Sequence, residues 1–126
     1  LLHHMAHHDS LTGLVNRREF ESRLQNALQS RSPEDIHPHA LLYIDLDRSK
    51  LVNDSCGHMA GDELLRRLSR KLLRCMRDND TLARLGGDEF GVLLEHCPLE
   101  RAELIAHHVL DTVDEYVFVW GERRFK

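Results

Sequence analysis

The strongest structural signal in the chain is Thr81-Leu-Ala-Arg-Leu-Gly-Gly-Asp-Glu-Phe-Gly-Val-Leu-Leu-Glu95. It contains two short apolar runs, 81–85 and 89–95, on either side of a Gly-Gly-Asp sequence. Tight hairpin turns require positive φ, which glycine adopts at no steric cost, so Gly-Gly between two apolar runs predicts a β-hairpin. The side chain of Asp88 would then lie in the turn between the two strands.

The segments on both sides of this hairpin show the apolar periodicity of helices and strands. It predicts helices over 16–30 and 98–116, a long helix from between Gly57 and Gly61 to about Arg77, strands over 40–46 and 117–120, and a return arm at 123–126. Asn16 is the predicted N-cap of the first helix. From residue 40 onward the order is β-α-β-β-α-β, which predicts an α+β, ferredoxin-like fold with an antiparallel-containing sheet flanked by helices. Many functions use this fold, so it does not identify the activity.

Composition limits the classes of protein that fit. With 126 residues, 41% hydrophobic and 30% charged, the chain resembles one ordinary globular domain. The net charge of −4 argues against broad binding to nucleic acid. No apolar run approaches the roughly 20 residues that cross a bilayer. We therefore expect a cytoplasmic domain, with tethering to the inner membrane by upstream segments as a further option.

Neither the cysteines nor the N-terminal histidines predict a metal site. Cys56, Cys75 and Cys97 are odd in number and form no C-x-x-C pair, so a zinc site or a disulfide framework is not indicated. The adjacent histidines within residues 1–8 point to different helix faces, and no carboxylate or cysteine set completes a site. We interpret residues 1–8 as the end of an upstream linker or signalling helix.

Two acidic residues are expected to meet across the predicted sheet. Asp45 lies at the end of the strand predicted over 40–46, and Asp88 lies in the hairpin turn. In a β-α-β-β sheet the first and third strands can be neighbours, which would bring the two carboxylates together. Such a pair suits Mg²⁺, which completes its shell with phosphate and water and can activate a hydroxyl nucleophile. The alternative is that Asp45 only ends a strand and Asp88 only fills a turn, and spacing alone favours that alternative.

Several motifs in the same order resemble one protein family. Leu85-Gly-Gly-Asp-Glu-Phe90 resembles the signature of the GGDEF family, the bacterial diguanylate cyclases. Asp9-Ser-Leu-Thr-Gly-Leu-Val-Asn-Arg-Arg-Glu-Phe20 resembles the opening motif of that family. The metal- and guanine-binding segment of that family resembles the stretch Tyr43-Ile-Asp-Leu-Asp-Arg-Ser-Lys-Leu-Val-Asn-Asp54 of this sequence together with Gly57-His58 and Gly61-Asp62, which come after it. The resemblance covers residues 9–126 and implies the palm-type fold of nucleotidyl cyclases.

The resemblance implies a catalytic centre around the hairpin turn. Asp45 by its carboxylate, Leu46 by its backbone carbonyl and Asp88 would bind Mg²⁺, with Mn²⁺ as an alternative. Asp88 would also help to deprotonate the attacking hydroxyl. Glu89 would belong to the same acidic centre, and Lys50 would neutralise charge on the phosphates.

The resemblance also implies the residues that bind GTP. Asn53 and Asp62 would read the guanine edge, because a carboxylate accepting from the N1–H and amino groups excludes adenine. Gly86 and Gly87 would leave room for the triphosphate to approach the backbone. His58 would lie near the nucleotide or stabilise a turn, and the two roles are equally favoured.

A second site is implied by Arg77-Asp78-Asn79-Asp80, which matches R-x-x-D just before the signature. In the family, this pattern marks an inhibitory site for the product, where the Arg77 position meets phosphate and guanine and the Asp80 position meets guanine. The alternative is a helix C-terminus at which Arg77 interacts favourably with the helix dipole.

The implied reaction joins two GTP molecules into cyclic di-GMP. The 3′-oxygen of one GTP attacks the α-phosphorus of the other and expels pyrophosphate, and this occurs twice. Because each domain holds one GTP, a second copy of the domain must face the first. An upstream sensor and a downstream phosphodiesterase domain are the other partners expected in the parent protein, and no nucleic acid is expected.

Two departures from the family pattern qualify this interpretation. Ser49 stands where the family usually has an aromatic residue, which predicts a looser loop over the phosphates. The family's last strand and its last helix, which carries a basic pair for the phosphates, do not occur within residues 9–126. We therefore expect a C-terminally truncated domain that is inactive in isolation.

Two other classes of function compete with the enzyme. One is a catalytically silent domain that binds GTP or cyclic di-GMP and regulates a neighbouring phosphodiesterase. The intact residues Asp45, Asp88, Glu89 and Lys50 favour the enzyme over this alternative. The other is a structural dimerisation module, which leaves the acidic cluster unexplained.

Overall fold

The structure is a computed structural model that describes residues 6–29 and 37–126. Its elements, in chain order, are β1 (Val15–Asn16), α1 (Arg17–Gln29), β2 (Ala40–Asp45), α2 (Asp47–Cys56), α3 (His58–Leu73), β3 (Thr81–Gly86), β4 (Glu89–Leu94), α4 (Leu99–Glu115), β5 (Phe118–Trp120) and β6 (Arg123–Phe125). Among these described residues, no helix has the length and apolar content needed to cross a membrane.

The main sheet has four strands in the order β1-β3-β4-β2. β3 and β4 form the predicted antiparallel hairpin, and β2 pairs antiparallel with β4. The first and third strands of the predicted order, β2 and β4, are therefore neighbours, as expected. β1 adds a short parallel pair to β3 on the opposite edge. The α+β class with helices flanking a partly antiparallel sheet is confirmed.

The last predicted strand does not join this sheet. β5 and β6 pair only with each other in the described chain, and Gly121 between them has a φ of 60°. A tight local turn costs little loop-closure entropy, so the two short strands fold back on themselves. Phe118 and Phe125 then pack in a cluster with apolar side chains of α2 and α3.

The hairpin turn has the backbone geometry that its glycines predicted. Gly86 has a φ of 148° and Gly87 a φ of 50°, and the β3–β4 register shifts between Arg84 and Gly86. A Cβ added at either glycine would find no atom within 4 Å. The glycines are thus required by backbone conformation, and the space over the turn is open.

Apolar residues pack on both faces of the sheet because successive strand residues point to opposite sides. On one face, Leu82, Phe90 and Val92 pack with buried residues of α3 and α4. On the other face, Ala83 and Leu93 pack with α1. This arrangement fixes the end of β4 and the hairpin turn between two layers of helices.

The first helix largely follows the prediction. The Oδ1 atom of Asn16 accepts a hydrogen bond of 2.9 Å from the Glu19 N–H, which confirms Asn16 as the N-cap. α1 ends at Gln29 in the described chain, and the predicted last residue, Ser30, lies outside the described residues.

The long helix ends earlier than the sequence predicted. α3 stops at Leu73 and not near Arg77, and residues 47–56 form the helix α2. After Leu73 the backbone tightens, with hydrogen bonds from Cys75 N–H to the Leu72 carbonyl and from Met76 N–H to the Leu73 carbonyl. Apolar spacing continued through Met76 because this residue still packs against the core from outside the helix.

Candidate active site

The end of β2, the end of β3 and the start of β4 meet at the signature turn, which is the hairpin turn Gly86–Asp88. The pairing of β2 with β4 places Asp45 opposite Glu89. The N–H of Leu46 donates a hydrogen bond of 3.0 Å to the carbonyl of Asp88, which holds the end of β2 against the turn. The carboxylates of Asp45 and Asp88, which are far apart in sequence, are therefore brought together as predicted.

The carboxylates at this turn repel one another, and together they form the acidic cluster of Asp45, Asp47, Asp88 and Glu89. Desolvation raises the pKa of the Asp45 carboxyl above its ordinary value. The negative charge of Asp88 raises this pKa further, followed by the charges of Asp47 and Glu89 and a hydrogen bond with Asp88. A cation between these carboxylates would relieve the repulsion, so the cluster has the electrostatics of a cation site.

The oxygen atoms at the turn suit a hard divalent cation. In residues 6–29 and 37–126 no three His, Cys, Asp or Glu side chains are arranged to hold a metal ion. The expected site needs only two carboxylates, from Asp45 and Asp88, and the carbonyl of Leu46. Mg²⁺ usually takes few protein ligands and fills its shell with water and phosphate, so these residues fit such an ion.

Ser49 has a contact that the sequence did not indicate. Its side chain is buried, and its hydroxyl donates a hydrogen bond of 3.4 Å to Asp88 Oδ2. The sequence suggested only that an aromatic contact was lost at this position. Lys50, the next residue on α2, is exposed.

The residues expected to read guanine lie on α2 and α3, on either side of a sharp reversal. Gly57 makes this reversal with a φ of 90°, and its N–H donates to the Asn53 carbonyl at 2.8 Å. The side chain of Asn53 lies against Gly61 of α3, the residue before Asp62. His58, the first residue of α3, is exposed.

Asp62 lines a shallow cavity of about 250 Å³. Met59, Arg66 and Trp120 also line this cavity, so it lies between α3 and the β5–β6 hairpin. Asp62 is half-buried there. The structure therefore brings Asn53 and Asp62 into one region, while the acidic cluster lies at the other end of α2.

The residues expected to bind product hold each other in a closed ion pair. Arg77 Nε donates to Asp80 Oδ1 at 2.9 Å, and the Arg77 backbone N–H donates to Asp80 Oδ2 at 2.6 Å. The Asp80 side chain is fully covered, and the guanidinium also donates to the Glu95 carbonyl at 3.1 Å. In this form the pair fixes the turn before β3, and Asp80 offers no free oxygen to a ligand.

A cavity of about 300 Å³ lies beside this pair. Its lining includes Arg77, Arg101 and His108. Such a group of cationic or protonatable side chains suits a phosphate, which is one of the two parts of the product, with guanine, that Arg77 is expected to meet.

Arg84 connects the signature turn to the opening motif. Its Nε donates to the Gly87 carbonyl at 2.9 Å, and one terminal nitrogen lies 3.2 Å from Asp9 Oδ1 and 3.3 Å from Asp9 Oδ2. Burial acts to raise the pKa of Asp9, but hydrogen bonds from Thr12 and the charge of Arg84 lower it overall. The sequence offered no signal for this link, since its members are distant in the chain.

A larger cavity, of about 530 Å³, follows the open edge of β2. Leu42, Tyr43 and Asp45 line one side, and Leu110 and Val113 of α4 line the other. Because β2 is the last strand of the sheet order, only one of its edges is paired in the described chain. The acidic cluster lies at one end of this cavity.

Comparison with known proteins agrees with the fold and the motifs. The family described as "Diguanylate cyclase, GGDEF domain" matches residues 6–124. The chain is 50% identical over 122 residues to the protein named "Probable diguanylate cyclase DgcE" of Escherichia coli strain K12, and the match covers 97% of this chain. It covers only 11% of DgcE, so most of that protein has no counterpart here.

Two solved structures show the same fold. The diguanylate cyclase SiaD of Pseudomonas aeruginosa, crystallised with its activator SiaC, gives a TM-score of 0.88 at 33% identity, covering 99% of this chain and 48% of SiaD. The GGDEF domain of DgcB from Caulobacter crescentus, crystallised with c-di-GMP, gives a TM-score of 0.83 at 26% identity, covering 93% of this chain and 66% of that chain. From the family match, the fold and the intact signature together, the chain belongs to the GGDEF family of diguanylate cyclase domains.

Proposed function

We propose that this chain is the greater part of a diguanylate cyclase domain, which condenses two GTP molecules into cyclic di-GMP and pyrophosphate. The observation that carries the proposal is the convergence of Asp45 and Asp88 at the signature turn, where desolvation and then the acidic neighbours raise the pKa of Asp45. The presence of Glu89 and Lys50 beside the two aspartates in this chain supports an active enzyme over a silent domain.

In this proposal Asp88 accepts the proton of the attacking 3′-hydroxyl. The oxygen then attacks the α-phosphorus of the second GTP, and the bond to the departing pyrophosphate breaks. The same step with the roles of the two nucleotides exchanged closes the ring and releases the second pyrophosphate. The Ser49 hydroxyl keeps the Asp88 carboxylate oriented through its 3.4 Å hydrogen bond. Lys50 is exposed on α2 and can swing toward the phosphates to balance their charge.

A divalent metal is typical of this family, and we propose Mg²⁺ for this chain. Asp45, Asp88 and the Leu46 carbonyl would hold the ion. When bound, Mg²⁺ supplies positive charge for the triphosphate and lowers the pKa of the attacking hydroxyl.

The reaction requires two copies of the domain, each with one GTP. Holding the two nucleotides face to face replaces a bimolecular encounter with an oriented one, which accounts for a large part of the rate. Asn53 and Asp62 select guanine in each copy. We propose cyclic di-GMP as the ligand of Arg77, after this arginine has released Asp80.

Asp88→Asn tests the proposal in the full-length protein. We expect it to abolish formation of cyclic di-GMP from GTP and Mg²⁺, measured by chromatography, with a melting temperature close to wild type. Asp111→Asn makes the same chemical change at an exposed site on α4 and should retain turnover. Wild-type turnover by Asp88→Asn would remove Asp88 from the mechanism.

A further inference from the structure

Gly61 occupies a position that backbone conformation does not explain. It lies buried in the first half of α3, and its φ is not in the positive range that favours glycine. Glycine inside a helix is less favourable than alanine because the unfolded chain loses more freedom on folding. A glycine at such a position therefore indicates a packing requirement.

The packing requirement comes from Asn53 on α2. A Cβ built on Gly61 would lie 1.6 Å from Asn53 Oδ1, 2.6 Å from its Cγ and 3.2 Å from its Nδ2. All three atoms of the carboxamide head are thus closer than ordinary van der Waals contact. The Asn53 amide fills the volume that any side chain at position 61 would need.

Hydrogen bonding within the domain does not explain how this amide is held. Asn53 Oδ1 is buried, and no atom of the described residues donates a hydrogen bond to it. Buried amide oxygens nearly always have a partner, because an unsatisfied one destabilises the fold. The orientation of the amide is therefore set by shape, which means by the missing side chain at Gly61.

We infer that Gly61 is a positioning residue for guanine recognition, and that it acts by admitting the Asn53 carboxamide to the surface of α3. This inference rests on the proposed function, in which Asn53 and Asp62 read the guanine edge. Asp62 directly follows Gly61, so the same turn of α3 orients the amide and carries the carboxylate. A side chain at position 61 displaces only one of the two groups.

A double-mutant cycle on the full-length protein tests this inference. Gly61→Ala, Asn53→Ala and the double variant are compared with wild type by calorimetric titration with GTP and by thermal melting. We expect Gly61→Ala and Asn53→Ala each to weaken GTP binding by about three- to tenfold, as for the loss of one hydrogen bond. The double variant should bind no more weakly than Asn53→Ala, because no amide is left to displace. Ser55→Ala, at an exposed position on α2, is the control.

The outcomes separate this inference from the proposed function. If Gly61 serves packing alone, Gly61→Ala binds GTP like wild type whatever its melting temperature, and that result would overturn the inference alone. Wild-type binding by Asn53→Ala would instead remove Asn53 from guanine recognition. If Gly61→Ala fails to fold, recovery of folding in the double variant supports the contact, and failure of both variants contradicts it.

Discussion

Asp45 lies opposite Glu89 and beside Asp88, and the charge of each ionised neighbour makes the ionisation of Asp45 less favourable. A carboxyl whose pKa is raised in the folded protein favours folding when protonated and ceases to do so when ionised. Its contribution to stability is therefore complete below the ordinary pKa of 3.8 and is lost as pH rises through the raised value.

The direction of this pH dependence leads to the first prediction, which concerns Asp45→Asn. Without divalent cations at pH 7, we expect this variant to melt at the same temperature as wild type or higher, because it removes repulsion and little packing. Added Mg²⁺ should raise the melting temperature of wild type and of the exposed control Asp111→Asn, but not that of Asp45→Asn. Thermal melts from pH 3 to pH 7, with and without Mg²⁺, measure both effects. A variant that is less stable without the cation would contradict the repulsion argument.

Arg77 gives the second prediction, because the structure shows a contact of Arg77 with Asp80 and the proposed function gives Arg77 a ligand. Arg77→Ala leaves the covered Asp80 carboxylate without its guanidinium, which should cost about 1–3 kcal/mol of stability. We also expect a higher cyclic di-GMP concentration for half-inhibition, measured during turnover. Arg70→Ala, an exposed arginine on α3, should change neither quantity. Superimposed inhibition curves would refute the product site, and an unchanged melting temperature would refute the structural pair.

Among the elements, the hairpin and the opening motif are joined by Arg84. Asp9 has a lowered pKa, so it contributes stability above its ordinary pKa and loses it as pH falls through the lowered value. The same guanidinium holds the Gly87 carbonyl next to Asp88. The opening motif thus contacts the turn that carries the proposed base.

The third prediction concerns Arg84→Ala. Removing the guanidinium should destabilise the protein by about 2 kcal/mol, since it breaks charge-assisted hydrogen bonds at a largely covered site. The part of the stability that is lost on acidification should become smaller, because the pKa of Asp9 returns toward its ordinary value and Asp9 then contributes less stability above it. Turnover should also fall, as the signature turn loses one support. Arg84→Lys keeps the charge near Asp9 but not the Nε bond, so it should recover the pH profile more than the turnover. An unchanged acid profile in Arg84→Ala would exclude the ion pair.

Local signals predicted most elements, whereas most contacts between distant residues were not predictable. The Asn16 cap and the Gly86-Gly87 turn depend on neighbouring residues, so the sequence alone indicated both correctly. The predicted end of α3 was wrong because Met76 continues the apolar spacing after the helix has stopped at Leu73.

The Ser49–Asp88 and Arg84–Asp9 bonds join segments far apart in the chain, and no periodicity reveals them. The convergence of Asp45 with Asp88 was foreseen only because strand order in this fold is restricted.

For the molecule as a whole, the open edge of β2 is the main unpaired surface of the described sheet. Tyr43 is 70% exposed and Leu41 is 39% exposed on this strand. Exposed apolar edge strands pair readily with other strands. We propose that a later strand of the parent protein covers this edge and the adjoining cavity beside α4.

The fourth prediction follows from that edge. The 126-residue chain alone should associate at higher concentration, whereas a chain extended by the following segment of the parent should associate less. Tyr43→Lys should reduce association of the 126-residue chain, because a charge on an edge strand opposes pairing. Leu28→Lys, at an exposed position on α1, is the matched control and should not. Analytical ultracentrifugation over a concentration series measures this, and equal association of the short and extended chains would contradict the assignment of the edge.

The mutual repulsion of the carboxylates at the hairpin turn also has a consequence for the protein inside a cell. A ligand that binds only the native state raises its stability by mass action, by about 2.7 kcal/mol when present at a hundred times its dissociation constant. A cation and GTP at this turn would lower the unfolded fraction about a hundredfold at that concentration. Proteases degrade mainly the unfolded fraction. Under the proposed function, starvation for GTP would then shorten the lifetime of the protein as well as slow its reaction, so that cyclic di-GMP output falls more steeply than substrate supply.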